Sequence, residues 1–218
     1  MCLRKEILKD LQPYGARLVA VSKTKPIAQI REMYEEGQRI FGENRVQELV
    51  DKRPQLPSNI EWHLIGHLQR NKVKYIADFV QMIHSVDSIA LAREINKQAQ
   101  KHDRVISILL QVRIAREETK FGIPAHDLDR FLEELLQLNL THLSIEGLMG
   151  MATFTDDEEQ IRKEFTELKN GFDRVKASFF PDHDHFREIS MGMSGDYKIA
   201  LEEGSTLVRI GSLIFGAR

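Results

Sequence analysis

The sequence predicts a parallel α/β fold and, within that class, a single closed (β/α)8 TIM barrel. Three observations lead there. Short apolar runs alternate with amphipathic helical stretches along the whole chain, with no block of strands alone. The runs number eight, more than an open doubly wound sheet usually needs. The first is apolar at both parities, as in a parallel strand covered on two faces. No Pro/Gly/Ser-rich linker divides the 218 residues, so one domain spanning 1–218 is expected.

Glu6 to Leu11 is a short amphipathic lead-in, halted near Pro13 and Gly15. Arg17 to Ser22 is the first strand, with Leu18 and Ala20 on one face and Val19 and Val21 on the other. Pro26 suits a first-turn helix position, and Ile27, Ile30, Met33 and Tyr34 recur at helical spacing up to Gly37. Arg39 to Gly42 is the second strand, and Glu43-Asn44 opens a helix with Val46, Leu49 and Val50 on one face. Ile60 to Ile65 is the third, ending in Gly66 before a basic helix from Leu68 to Ile76. Phe79 to Ile83 is the fourth, after which Asp87 or Ser88 can cap a helix running to about Lys101. Val105 to Val112 is the fifth, followed by a charged loop to Gly122 and a helix from Pro124 to about Leu138. Leu143 to Leu148 is the sixth, and the longest helix, Asp156 to Ser178, comes next. Phe186 to Met191 is the seventh, and Asp196 to Glu203 makes a short helix closed by Gly204. Leu207 to Ile210 is the eighth, with a final apolar turn from Ser212 to Phe215.

Composition narrows the partners. Charged residues are 29% of the chain and the formal net charge is -2, which gives no support to nucleic-acid or acidic-membrane binding. A small molecule is the expected ligand. One cysteine, Cys2, excludes an internal disulfide and fits a reducing cytosol. No uncharged apolar segment is long enough to span a bilayer, and Met1 to Glu6 lacks the apolar core of a signal peptide. A soluble, cytoplasmic protein is expected.

In a barrel the strand ends converge on one mouth, so residues remote in sequence can form one site. Lys23 continues the Val19/Val21 parity to the carboxyl end of the first strand. A desolvated lysine there loses its proton more easily and can form a Schiff base. The same lysine, with Lys25, would equally suit an exposed strand-to-helix loop. After the seventh and eighth strands, Ser190 to Gly195 and Gly211-Ser212 are rich in small residues that let backbone N–H groups approach a phosphate. Ser194 as a helix cap and Gly211 as a turn residue is the plainer alternative. Arg209 stands between Val208 and Ile210 in an apolar strand, where its guanidinium needs an acceptor, either a ligand or a structural carboxylate. A mouth with a Schiff-base lysine, phosphate loops and a buried arginine suggests pyridoxal 5'-phosphate (PLP).

The stretches Val21 to Pro26, Phe41 to Asn44, Trp62 to Gln69, Met191 to Ser194 and Val208 to Gly216 together resemble the signatures of the YggS/PROSC pyridoxal phosphate homeostasis proteins. The resemblance implies a fold-type III barrel, similar to the N-terminal domain of alanine racemase, with PLP as an internal aldimine on Lys23. It further implies that Arg209 faces the pyridine nitrogen, that Asn44 lies beside the ring, and that Ser194, Gly211 and Ser212, in the Met191 to Ser194 and Val208 to Gly216 motifs, help hold the phosphate. Met191 belongs to the same expected cofactor-binding set. Lys120 is implied as a candidate for transient aldehyde exchange. Arg45 departs from the usual tyrosine, and Phe121 from the small residue that often precedes the Gly122-Ile123 pair.

The expected role is a PLP carrier or buffer without robust turnover, acting as a monomer and supplying apo-enzymes. Two-base racemisation needs groups on both faces of a carbanion, and the chain ends close to its eighth strand without the domain that supplies the second base in alanine racemase. A PLP-dependent racemase or decarboxylase, and a cofactor-free Schiff-base aldolase, are the alternatives. No metal is expected: His63 and His67 straddle a strand end without an evident third ligand, and Asp182 to His185 reads as a solvated loop. Arg70, Lys72 and Lys74 read as a solvated basic face.

Overall fold

The computed structural model describes residues 3–116 and 121–216. Its strands are β1 (Arg17–Val21), β2 (Ile40–Glu43), β3 (Glu61–Leu64), β4 (Met82–Val86), β5 (Ile106–Arg113), β6 (Ile123–Pro124), β7 (Leu143–Met149), β8 (Glu188–Ser190) and β9 (Leu207–Ile210). All pair in parallel. The sheet runs β4-β3-β2-β1-β9-β8-β7-β5-β6, and a further β4–β5 pairing closes it. β6 is a two-residue addition beside β5, so the remaining strands form the predicted (β/α)8 barrel. The β1–β9 pairing joins the two ends of the chain, with Arg17 opposite Leu207 and Ala20 opposite Ile210.

The helices are α1 (Leu3–Leu11), α2 (Ile27–Glu35), α3 (Val46–Lys52), α4 (Ile89–Lys101), α5 (Leu128–Gln137), α6 (Glu158–Phe179), α7 (Tyr197–Glu202) and α8 (Ser212–Phe215). Alternation along each strand divides the core into two layers. Outward residues such as Ala20, Phe41, Leu64, Ile83 and Ile108 pack against the helical stripes through Ile30, Leu49, Ile95, Leu132 and Phe165. Each fully buried leucine or isoleucine of this layer contributes about 1.5–3 kcal/mol through burial. Ile7 and Leu11 of α1 cover Leu18, Val208 and Ile210 where the chain ends meet. Inward residues Val19, Ile40, Met82, Leu109, Met149 and Leu207 fill the barrel.

Two elements differ from expectation. The fourth strand is Met82–Val86 rather than 79–83, so His84 lies inside it rather than beyond its end. Apolar content did not mark this strand because its inward position 84 is polar. The basic stretch forms a 3-10 helix, Arg70–Tyr75, instead of an α-helix. Its buried residue Val73 and the capping Ile76 that follows it are three apart, matching a three-residue turn. No described helix is long and apolar enough to cross a membrane.

Candidate functional site

The carboxyl ends of the strands enclose a cleft of about 540 Å³ that Lys23, Asn44, Ser194, Arg209, Gly211 and Ser212 all line. Met191 does not line it: its side chain is fully buried in the layer between barrel and helices. Met151 to Asp156, the segment leading from β7 toward α6, builds one wall, which the sequence reading did not anticipate. A larger cavity of about 790 Å³ lies on the outer flank, between α5 and α6, and holds none of these residues. Convergent polar groups at the strand ends make the smaller cleft the functional candidate.

Lys23 is half-buried just beyond β1, in a turn closed by Lys25 N–H donating to the Ser22 carbonyl at 3.0 Å. Thr24, the next residue, has φ 64°. A β-branched residue is an outlier there, at a cost of about 1–2 kcal/mol. The turn is tied from behind. Thr24 N–H donates to Glu48 Oε1 at 2.5 Å, and Lys52 Nζ donates to the Ser22 carbonyl at 2.7 Å. Lys25 points elsewhere: its Nζ donates to the carbonyls of Phe215 and Gly216 at 3.2 and 2.9 Å, clasping the turn after α8.

Asn44 follows β2, and Gly66 lies against it. A Cβ at 66 would stand 2.3 Å from the Asn44 carbonyl oxygen, so glycine is required for this close approach. Ser194 belongs to the β8–α7 turn, where Met193 N–H donates to Asp196 Oδ1 at 2.5 Å. The Arg209 N–H holds the same turn through the Gly192 carbonyl at 2.9 Å. Burial raises the Asp196 carboxyl above its ordinary range, while its bond from Met193 and the Arg209 charge act in opposition.

Arg209 is 4% exposed. Its Nη1 donates to Ser190 Oγ at 2.6 Å and its Nη2 to the Gly150 carbonyl at 3.0 Å. Neutral acceptors therefore take the place of the structural carboxylate that the sequence allowed. Burial lowers its pKa to about 10, against an opposing pull from Asp196, so it stays charged at neutral pH.

Behind Arg209 a polar chain crosses the barrel interior. Ser190 Oγ lies 2.9 Å from His84 Nδ1, and His84 Nε2 lies 2.9 Å from His63 Nδ1. Burial holds both imidazoles neutral. The pKa of His63 falls to about 3, with Arg17 adding to the effect of burial. That of His84 falls well below its ordinary value, with His63, Arg209 and Arg17 adding to burial. Sequence reading missed this chain, although each member occupies an inward position of its strand.

His63 and His67 have different partners, His63 Nδ1 lying 2.9 Å from His84 Nε2. His67 stacks on Phe121 at a centroid distance of 3.9 Å and lies 4.0 Å from Asp87. Asp182 to His185 is exposed. Among the described residues no cluster of three potential metal ligands exists. Lys120 and Cys2 lie outside the described residues.

The donor set of the cleft suits a phosphorylated aldehyde. It has an amine at 23, hydroxyls at 194 and 212, backbone N–H groups in two small-residue loops, and a buried guanidinium.

Comparison with known proteins gives a consistent result. The family model for the N-terminal domain of alanine racemase matches residues 5–218. A pyridoxal phosphate homeostasis protein of Aquifex aeolicus (strain VF5) is 41% identical over 204 residues, which is 93% of this chain and 87% of the relative. The structure of PipY from Synechococcus elongatus PCC7942 with PLP bound is 36% identical and aligns with a TM-score of 0.87, covering 98% of each chain. Alanine racemase of Clostridium difficile 630 is 15% identical and aligns at TM-score 0.73 over 100% of this chain and 56% of its own, a likeness of fold.

Proposed function

The chain belongs to the pyridoxal phosphate homeostasis proteins, built on the alanine racemase N-terminal domain, and from this premise we propose that it binds PLP in the mouth cleft with Lys23 as its anchor. It is a PLP-binding protein of cofactor homeostasis. When bound, PLP supplies an aldehyde that a lysine amine can capture with loss of water, and a phosphate that needs donors. The observation that supports this reading is the convergence of Lys23, Ser194, Arg209 and Ser212 on one cleft from three separate strand ends, those of β1, β8 and β9.

Each residue then has a task. Lys23 contributes its amine. Ser194, Gly211 and Ser212 offer hydroxyl and backbone donors to the phosphate. Asn44 would flank the ring, its backbone position set by the close approach of Gly66. Met191 acts from below: its carbonyl accepts from Ser205 Oγ at 2.8 Å, which secures the start of the phosphate turn. Arg209 would donate to the pyridine nitrogen and keep its own proton, which would leave that nitrogen neutral and the ring a weak electron sink.

That weakness supports a carrier or buffer without steady turnover. We read it as a one-domain, cytoplasmic monomer that gives up PLP to apo-enzymes. Incubation with PLP should produce a visible absorption band, and borohydride should abolish the band and leave a pyridoxyl group on the Lys23 peptide. Lys23→Ala should show neither. A colourless wild-type protein that takes up no PLP would sink the reading.

A further inference from the structure

Lys23 stands between two peptide units that are both tied to α3. On one side the Ser22 carbonyl accepts from Lys52 Nζ at 2.7 Å, while the Ser22 hydroxyl donates to Glu43 Oε1 at 2.7 Å. On the other, Thr24 N–H donates to Glu48 Oε1 at 2.5 Å. Lys52 joins the halves, donating also to Glu43 Oε1 at 2.8 Å and to Glu48 Oε1 at 2.5 Å.

This network is an unusual investment for a surface helix. Lys52 is 7% exposed and Glu43 is fully buried, and among the described residues Glu43 Oε2 has no partner. Burying such a pair is a poor route to stability when apolar side chains would pack there as well. What the network does hold is the φ of 64° at Thr24, which a β-branched residue leaves readily. Released, Thr24 would return to an ordinary backbone region and swing the preceding residue with it. Neither Glu48 nor Lys52 lines the cleft, so neither can act on a ligand directly.

We propose that Glu48 and Lys52 are positioning residues for Lys23, holding the strained turn that presents its amine to the mouth cleft. The inference rests on the reading of Lys23 as the PLP anchor. In that capture the neutral Nζ forms a bond to the aldehyde carbon, and the carbonyl oxygen leaves as water with the two protons the amine gives up. Bond formation depends on the direction of approach, whereas phosphate binding by the loops after β8 and β9 does not. The network therefore favours the covalent link over simple occupancy of the cleft.

Two ligands separate these effects: PLP, and pyridoxine 5'-phosphate, which carries an alcohol in place of the aldehyde. In Glu48→Ala and Lys52→Met, PLP binding should weaken by about tenfold, with a weaker visible band at saturation, while pyridoxine 5'-phosphate binding stays within about twofold. Glu48→Gln keeps an acceptor for Thr24 N–H and should restore most of the PLP affinity. Thr24→Gly in the Glu48→Ala background should also recover it, because glycine takes this φ freely. Equal losses for both ligands, or unchanged PLP binding in both single variants, would overturn the proposal. If the single variants do not fold, Glu48→Gln and the Thr24→Gly double variant decide it: a double variant bound no better than unfolded controls would overturn it. A wild-type protein that binds PLP without a band reducible onto Lys23 would overturn the function proposed above, a result in which the variants play no part.

Discussion

Alanine at position 147 should remove about 4 kcal/mol or more of folding stability. Gly147 lies in β7 with φ 155°, and a Cβ there would stand 1.8 Å from the Glu188 carbonyl oxygen and 2.7 Å from its carbonyl carbon. Both atoms belong to the backbone of β8, directly opposite in the parallel pairing, so no change of rotamer relieves the clash. The β5–β7 register slips at this point, with Ile145 opposite Ile108 and Gly147 opposite Leu109, which marks a bulge. β8 is three residues long and ends at Ser190, the acceptor of Arg209. A shift of β8 would thus loosen the site as well as the barrel. Urea unfolding measures the loss directly, and an unchanged midpoint would show that β8 can slide aside without cost.

Acid should weaken the fold from near pH 6.5 downward, by about 1.4 kcal/mol per pH unit for each of His63 and His84. The sign follows from where the protons bind. In the unfolded chain an imidazole takes a proton near its ordinary pKa of 6.5, but in the barrel His63 stays neutral to about pH 3 and His84 titrates well below its ordinary value. The unfolded state therefore holds more protons across this window, and stability falls with pH. Glu43, Asp87 and Asp196, whose carboxyls burial raises, act in the opposite direction where carboxylates titrate. Urea midpoints between pH 7 and 5 test the slope, and His63→Gln should remove one histidine's share of it. An unchanged slope in that variant would mean that His63 takes up protons inside the folded barrel.

The barrel and its mouth were legible in the sequence because they depend on local signals. Alternation at β1 carried Lys23 to a strand end, and the small residues of the last two loops marked the turns that face it. The eighth predicted strand coincides with β9, since Leu207, Val208 and Ile210 are apolar and the run is bounded by Ser205-Thr206 and Gly211. The interior polar chain was hidden for the converse reason. Hydrophobic patterning finds strands by their apolar residues, so His84 fell beyond the predicted fourth strand, and Ser190, inside the predicted seventh, carried no sign of its partner. Glu43, Glu48 and Lys52 were hidden by distance: a helix one crossover away ties down a turn, and nothing in the spacing of Ser22 to Pro26 announces it. The wall from Met151 to Asp156 has no compositional mark at all.

The chain of bonds behind Arg209 also has a direction. A guanidinium can donate but never accept, so Ser190 Oγ must receive its hydrogen. Among the described residues, the acceptor within reach of the Ser190 hydroxyl proton is then His84 Nδ1, which leaves His84 protonated at Nε2 and donating to His63 Nδ1. The charge at the mouth thereby dictates the tautomer of an imidazole two links deeper. Nitrogen NMR shifts should report both rings as Nε2–H tautomers in the wild type. In Arg209→Gln, whose amide can give or take a hydrogen bond, that polarity is no longer enforced, and both orientations of the chain should be populated.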